Sequence, residues 1–290
     1  MQIRPHRRRR SVLYVPAIND KALAKLPSLT CDSVVIDLED SVAPSRKGEA
    51  REAVMRFFQT HVPDGKEMVI RINALSSEWG ADDLAMALQC RPDAILLSKV
   101  ETARDVLDAN DALDNQDVRA SLWLWAMVET PRAMLNLGTI AALGRDRSAR
   151  LACLVAGTND LVKDTGILAT PDRRYLTPWL MQMVLAARAG HLDILDGVSN
   201  DFRNLGAFER ECAEGSNMGF DGKTLIHPAQ IELANRTFSP SATQVEEALA
   251  IRNAFSLPEN ADKGVISLTG KMIERLHLEQ AERLLVKAGL

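Results

Sequence analysis

The 290-residue sequence has few cysteines and few aromatic residues. Its four cysteines lie far apart and form no Cys-x-x-Cys pair, which argues against a zinc or dithiol site of that spacing. A reducing, cytoplasmic compartment is therefore the expected location. No stretch approaches the ~18 consecutive apolar residues of a membrane-spanning helix, so we expect no membrane partner.

Two phosphate-binding signatures are missing as well. No Gly-x-Gly-x-x-Gly follows the first predicted strand. The Gly-Lys-Thr at 222–224 is not a P-loop, because Asn217 stands where the first glycine would be needed.

The chain also has no large excess of charge. Its 35 Lys and Arg residues nearly balance 39 Asp and Glu residues, for a net charge of −4, which argues against a nucleic-acid partner. A basic cluster at residues 6–10 has no apolar segment of the kind a secretory signal needs. We interpret it as a solvated tail, with contact to an anionic partner as the alternative.

Apolar residues make up 46% of the chain, enough for a large core. Short apolar runs rich in β-branched residues alternate with longer amphipathic runs, which predicts repeated β–α units. The predicted strands cover residues 11–17, 33–40, 67–73, 94–100, 122–129, 151–157, 192–198 and 223–227. Eight such units favour a (β/α)8 TIM barrel, with a doubly wound open sheet as the alternative.

The predicted barrel, a catalytic domain, takes up residues 1–238. A small C-terminal helical extension follows over 239–290, with helices expected at 242–255 and 271–288 and a short strand between them.

Charged residues follow several of the apolar strands. Asp37, Glu39 and Asp40 end the second predicted strand, and Glu129 ends the fifth. In a barrel of this kind, reactive groups lie at the carboxyl ends of the strands. Buried charges need a counter-charge or a metal ion, so this pattern predicts a functional site at that end.

Glu129 and Asp160 are the candidate metal ligands. They follow neighbouring strands, and carboxylate ligands without paired His or Cys favour Mg2+ over Zn2+. Salt bridges from these acids to Arg71, Lys99 and Lys223 are the alternative.

Six segments resemble a known family and occur in that family's order. They are RSVLYVPAIND (10–20), VVIDLEDSVAPSRKGEAR (34–51), VIRINALSSEWGADDL (69–84), MVETPRAMLN (127–136), AGTNDL (156–161) and GFDGKTLIHPAQI (219–231). Together they resemble the citrate lyase β-subunit-like (CitE-like) CoA-ester lyases of the HpcH/HpaI aldolase superfamily. The resemblance implies a Mg2+-dependent barrel that assembles as a homotrimer or homohexamer.

The resemblance also implies roles for individual residues. Glu129 and Asp160 correspond to the Mg2+ ligands, with Glu129 also facing the substrate. Arg71 corresponds to the cation that faces the thioester enolate and the substrate carboxylate. Glu39 and Asp40 correspond to catalytic groups that hold metal-bound water. The residues expected to bind CoA are Tyr14, Pro16, Lys21, Arg46, Lys47 and Asp196.

The implied reaction is retro-Claisen cleavage of a 3-hydroxyacyl-CoA, of the malyl-CoA, citramalyl-CoA or citryl-CoA type, to an acyl-CoA and a 2-oxo acid. Two alternatives stay open: a malyl-CoA thioesterase, and a citrate lyase β subunit acting on an acyl-carrier-protein thioester. Many family members use a C-terminal Met-Ile-Asp, where this chain has Glu274. Glu274 is therefore either the catalytic acid or an exposed helix residue.

Overall fold

The computed structural model describes residues 7–60, 65–114, 121–260 and 262–290. This part of the chain forms two compact units. One is Arg9–Asn235, and the other combines Arg7 and Arg8 with Arg236–Leu290. Within the described ranges, every helix is too short or too polar to cross a bilayer.

The larger unit is a closed barrel of parallel strands, each paired with its neighbours along the chain and the last paired with the first. The strands are β1 (Ser11–Pro16), β2 (Ser33–Asp37), β3 (Glu67–Ile72), β4 (Ala94–Leu97), β5 (Trp123–Val128), β6 (Leu151–Ala156), β7 (Asp193–Asp196) and β8 (Gly222–Leu225). The predicted (β/α)8 barrel is thereby confirmed and the open-sheet alternative is wrong. Most predicted strands ran past the observed carboxyl ends, where the chain turns into the loops that carry polar residues.

Helices connect successive strands and cover the outside of the barrel, which explains why the strands are buried on both faces. They are α1 (Asp20–Lys25), α2 (Lys47–Thr60), α3 (Gly80–Cys90), α4 (Ala103–Asp114), α5 (Pro131–Leu135), α6 (Leu137–Ala142), α7 (Thr158–Thr165), α8 (Thr177–Ala189), α9 (Leu205–Met218) and α10 (Ile231–Thr237).

Alternate residues of each strand point into the barrel. The interior core includes Val12, Val35, Val69, Trp125, Val155 and Leu195. In each strand, the next inward-facing residue lies two positions further along, at the carboxyl end of the barrel. This two-residue period determines which polar side chains can meet there.

The amino end of the barrel is closed by Arg9. Its guanidinium donates to both carboxylate oxygens of Glu67 at 2.7 Å, contacts Asp193, and lies 4.9 Å from the ring centre of Trp125. Arg10 pairs with Asp32. The expectation of a solvated tail is therefore wrong for Arg9 and Arg10, because both guanidiniums have carboxylate partners. His6 of the same cluster lies outside the described residues.

The smaller unit contains a hairpin and two helices. Strands β9 (Val265–Leu268) and β10 (Lys271–Glu274) pair antiparallel through Thr269 and Gly270, which both have positive φ, as a type I′ turn requires. Helices α11 (Ala242–Ser256) and α12 (Arg275–Ala288) pack against each other and the hairpin. The second helix begins later than predicted because residues 271–274 pair with β9.

Candidate active site

A cavity of about 360 Å³ opens among the loops at the carboxyl ends of the strands. Its lining includes six of the residues that the sequence analysis selected: Tyr14, Pro16, Asp40, Arg71, Glu129 and Asp160. Most of these side chains continue the inward face of a strand. Val69 leads to Arg71, and Met127 leads to Glu129, by the two-residue period of a strand.

Arg71 is held in one orientation by Asp37. Nε and Nη2 of Arg71 donate to the two carboxylate oxygens of Asp37 at 2.6 and 2.7 Å. The guanidinium also stacks on Tyr14, 5.0 Å from the ring centre. Asp37 in turn accepts the backbone N–H of Glu39. Although burial disfavours the charge of Asp37, Arg71 keeps the pKa of that carboxyl below its ordinary value.

Asp37 was given no role from the sequence, although it lies at the end of β2. The two-residue period could have found it, because Asp37 follows the interior residue Val35. Bidentate pairing fixes the plane of a guanidinium, so Asp37 positions Arg71 in the cavity wall.

Lys99 lies among three carboxylates at the same end of the barrel. Its Nζ is 2.5 Å from Oδ2 of Asp160, 3.5 Å from Oε1 of Glu129 and 3.7 Å from Oε1 of Glu39. Its backbone N–H donates to Oε1 of Glu129 at 2.7 Å. A cation therefore lies beside both of the carboxylates that were predicted to bind metal.

Glu129 and Asp160 are held by the starts of two helices. Glu129 precedes Thr130, whose hydroxyl caps α5 by accepting the N–H of Ala133. Asp160 lies in the first turn of α7, where the helix dipole favours negative charge. Gly157 allows the two to approach, since a Cβ there would fall 2.2 Å from Cβ of Glu129.

The buried acids of this end have unusual pKa values. Burial raises the pKa of Glu39 to about 8, and the opposing charge of Arg71 does not cancel that effect. Burial also raises the pKa of Glu129. Glu39 Oε2 lies 2.6 Å from Nη1 of Arg71 but makes no hydrogen bond of good geometry with any described residue.

The carboxylates of this site suit Mg2+ better than they suit a metal ion whose ligands all come from the protein. Among the residues that the structure describes, no group of three or more His, Cys, Asp or Glu side chains is arranged to hold a metal ion. Mg2+ is commonly held by one or two carboxylates together with water and substrate oxygens. Glu129 and Asp160, which already attract the ammonium of Lys99, match that requirement.

Two of the predicted CoA-binding residues, Lys47 and Asp196, are buried and have partners within the protein. Lys47 is buried, and its ammonium donates to the carbonyls of Leu38 and Glu39 and to Oδ1 of Asn73. All three of its protons are thereby used within the protein, and it fixes the loop after β2.

Asp196 is completely buried beside Arg173 and Lys223, each 2.8 Å from its carboxylate. These two cations hold the pKa of Asp196 below its ordinary value despite burial. The side chain follows the interior residue Leu195 by one position, so it points away from the barrel interior. Asp196 is therefore not part of the cavity lining.

The remaining predicted residues lie outside the cavity lining. Lys21 and Arg46 are exposed, and Arg46 pairs with Glu49 at 2.6 Å. Glu274 belongs to the smaller unit, at the end of β10, where its backbone N–H donates to Nδ1 of His277. The roles predicted for Lys21, Arg46 and Glu274 therefore cannot be inferred from the cavity lining and stay predictions.

The model of the HpcH/HpaI aldolase/citrate lyase family matches residues 10–228. A (3S)-malyl-CoA thioesterase of Cereibacter sphaeroides is 41% identical over 96% of this chain and 94% of its own length. The citrate lyase subunit beta of Escherichia coli is 32% identical over 100% and 96%, respectively. The structure of CitE from Mycobacterium tuberculosis in complex with magnesium, acetoacetate and coenzyme A superposes with a TM-score of 0.76 at 26% identity, covering 97% of this chain and 98% of that one.

Proposed function

Since this chain belongs to the HpcH/HpaI aldolase/citrate lyase family, we propose that its cavity is the active site of a Mg2+-dependent enzyme acting on malyl-CoA-type thioesters. The observation that carries the proposal is the combination of Arg71 with the Glu129 and Asp160 carboxylates in one cavity. A fixed guanidinium suits a developing oxyanion, and two carboxylates suit a divalent ion.

Glu129 and Asp160 are the residues that would hold Mg2+. The ion would supply a positive charge that makes a bound hydroxyl or water more acidic. The complex of CitE with magnesium and coenzyme A supports this assignment for the related site here.

Arg71 would stabilise negative charge on the thioester oxygen. Its guanidinium is preorganised by Asp37 and Tyr14, so little reorganisation accompanies the charge development. Such preorganised donors contribute about 10²–10³ in rate.

Glu39 is the proposed acid or base, and it lies 2.6 Å from Nη1 of Arg71, a residue of the cavity lining. A carboxyl with a pKa of about 8 exchanges its proton readily near neutral pH, which suits proton transfer. In hydrolysis, Glu39 would take a proton from the attacking water. In carbon–carbon cleavage, the enolate carbon needs a proton, which Glu39 or Glu274 could give.

We place hydrolysis to a free acid and CoA first. The thioesterase relative is 41% identical to this chain, against 32% for the citrate lyase subunit, over nearly the full length in both cases. Retro-Claisen cleavage to an acyl-CoA and a 2-oxo acid is the second candidate, and the lyase relative supports it. An acyl-carrier-protein thioester, the alternative that the family resemblance leaves open, is the third substrate type.

The purified protein should be given malyl-CoA and citramalyl-CoA with Mg2+ or with EDTA. Free thiol and 2-oxo acid are then measured in the same reaction. We expect Mg2+-dependent thiol without 2-oxo acid. Formation of glyoxylate or pyruvate before thiol would instead establish the lyase, and no turnover of either kind would reject CoA esters of this type.

A pair of variants ties the activity to the cavity. Glu129→Gln keeps the acceptor for the N–H of Lys99 but removes a charged metal ligand. We expect it to lose about 10³-fold in kcat/KM, roughly 4 kcal/mol. Glu101→Gln is the matched control, because Glu101 pairs with Arg132 away from the cavity lining. Equal losses in both variants would contradict the assignment.

The quaternary structure and location stay predictions. A cytoplasmic homotrimer or homohexamer, as the family resemblance implies, can be tested by light scattering and cell fractionation.

A further inference from the structure

Lys99 combines a fixed backbone with a side chain that is partly exposed. Its N–H is bonded to Glu129, and the hydroxyl of the preceding Ser98 donates to the carbonyl of Ile72 at 2.5 Å. Lys99 has φ of 51°, a conformation that non-glycine residues adopt at a cost. The chain thereby turns the Lys99 side chain toward the carboxylates, where the strand period alone would point it outward.

The ammonium of Lys99 lies close to the two carboxylates that would have to bind a divalent ion. Nζ is 2.5 Å from Asp160 and 3.5 Å from Glu129. Mg2+ requires oxygens at about 2.0–2.1 Å. Two cations cannot both lie this close to the same oxygens without strong repulsion.

We propose that Lys99 competes with Mg2+ for Glu129 and Asp160, and that its ammonium leaves these two carboxylates when the ion binds. The inference rests on the proposed function, since it takes those two carboxylates as the Mg2+ ligands. Lys99 therefore sets how tightly the ion binds, and it neutralises the carboxylates in the absence of the ion.

A second lysine provides the matched control. Nζ of Lys163 is 2.9 Å from Oδ1 of Asp160, so both lysines contact the same carboxylate. The Lys163 side chain is 69% exposed, whereas that of Lys99 is 31% exposed. Exposed ion pairs are weak because water and salt screen them. Lys163 should therefore compete far less.

The experiment measures Mg2+ affinity by calorimetry for the wild type, Lys99→Met, Lys99→Arg and Lys163→Met. Methionine keeps the length of the side chain and removes the charge. We expect Lys99→Met to bind Mg2+ about tenfold more tightly, Lys99→Arg to stay near the wild type, and Lys163→Met to change less than twofold. The rise in Tm on adding Mg2+ should be largest for Lys99→Met, by about 3 °C.

Equal or weaker Mg2+ binding by Lys99→Met would overturn the inference and would make Lys99 a residue that positions the ligands. Absence of Mg2+ binding in all four proteins would also overturn it. Activity of the wild type on malyl-CoA is measured in parallel, so the two proposals can fail separately. A wild type without activity, together with tighter binding by Lys99→Met, would reject the proposed function and support the competition.

Discussion

Each end of the barrel contains an arginine in a bidentate pair with a buried carboxylate, but the surroundings of the two pairs differ. At the amino end, Arg9 forms a bidentate pair with Glu67 at 2.7 Å. At the carboxyl end, Arg71 forms a bidentate pair with Asp37 at 2.6 and 2.7 Å. Each guanidinium also lies about 5 Å from the centre of an aromatic ring.

The difference lies in what surrounds each pair. At the amino end, Glu67 also accepts the hydroxyl of Ser33, and the second acid, Asp193, contacts Arg9. At the carboxyl end, the carboxylates of Glu129 and Asp160 lie beside Lys99 rather than Arg71 and line an open cavity. A satisfied pair is suited to stabilising the fold, whereas the excess acid next to the cavity matches the binding and proton transfer that we propose for this end.

The largest expected effect is the loss of stability on breaking the amino-end pair. Arg9→Met leaves Glu67 buried without its main counter-charge, which costs about 3–5 kcal/mol. Urea unfolding of the metal-free protein measures it. The double variant Arg9→Met/Glu67→Gln removes the unpaired charge and should recover part of the loss. A single variant as stable as the wild type would show that this pair does not hold the barrel.

The carboxyl-end pair should respond in activity instead. Arg71→Lys keeps the charge but loses the bidentate contact with Asp37. We expect kcat/KM to fall about 10²-fold, roughly 2.7 kcal/mol, from the loss of one preorganised donor. Arg9→Lys is the matched control, and it should lower the free energy of unfolding while changing kcat/KM much less. The reverse pattern would contradict the division of roles between the two ends.

The fold could be predicted from the sequence because eight apolar runs, each followed by an amphipathic run, leave few architectures open. The site was predicted in part. Glu129 and Arg71 were found because they lie at the carboxyl ends of strands. The prediction for Asp196 rested on its position at a strand end and did not consider the side on which it points. Its neighbour Leu195 faces the interior, so the two-residue period places Asp196 on the outside.

Other features needed the coordinates. The contact of Lys99 with three carboxylates depends on its positive φ. Positive φ is usually predicted from a glycine, and this position has none. The burial of Lys47 depends on three acceptors from two different loops. The amino-end cluster, in contrast, had a signal in the sequence. Glu67 begins β3 and Asp193 begins β7, and acidic residues at the starts of strands predict a charged cluster at the amino end of the barrel.

A smaller expected effect is a pH dependence of the free energy of unfolding that comes from the carboxyl end of the barrel. Burial raises the pKa of Glu39 to about 8 from an ordinary value of 4.5. Between these values the folded protein keeps a proton that the unfolded chain releases, so stability decreases as the pH rises through this window. With EDTA present, the wild type should lose about 1–3 kcal/mol relative to Glu39→Gln between pH 5 and 8. Parallel curves for the two proteins would reject the raised pKa.

The smallest expected effect concerns the exposed cations after β1 and β2. Lys21 and Arg46 are proposed to attract the phosphates of CoA, whereas the buried Lys47 is not free to do so. An exposed ion pair contributes less than about 1 kcal/mol, so Lys21→Ala and Arg46→Ala should each raise KM about threefold and leave kcat unchanged. Salt screens such contacts, and the difference from the wild type should therefore disappear at high ionic strength. Lys25→Ala, at the far end of α1, is the control for general loss of positive charge. If it raises KM as much as Lys21→Ala does, the cations act through net charge and neither residue marks the path of the CoA chain.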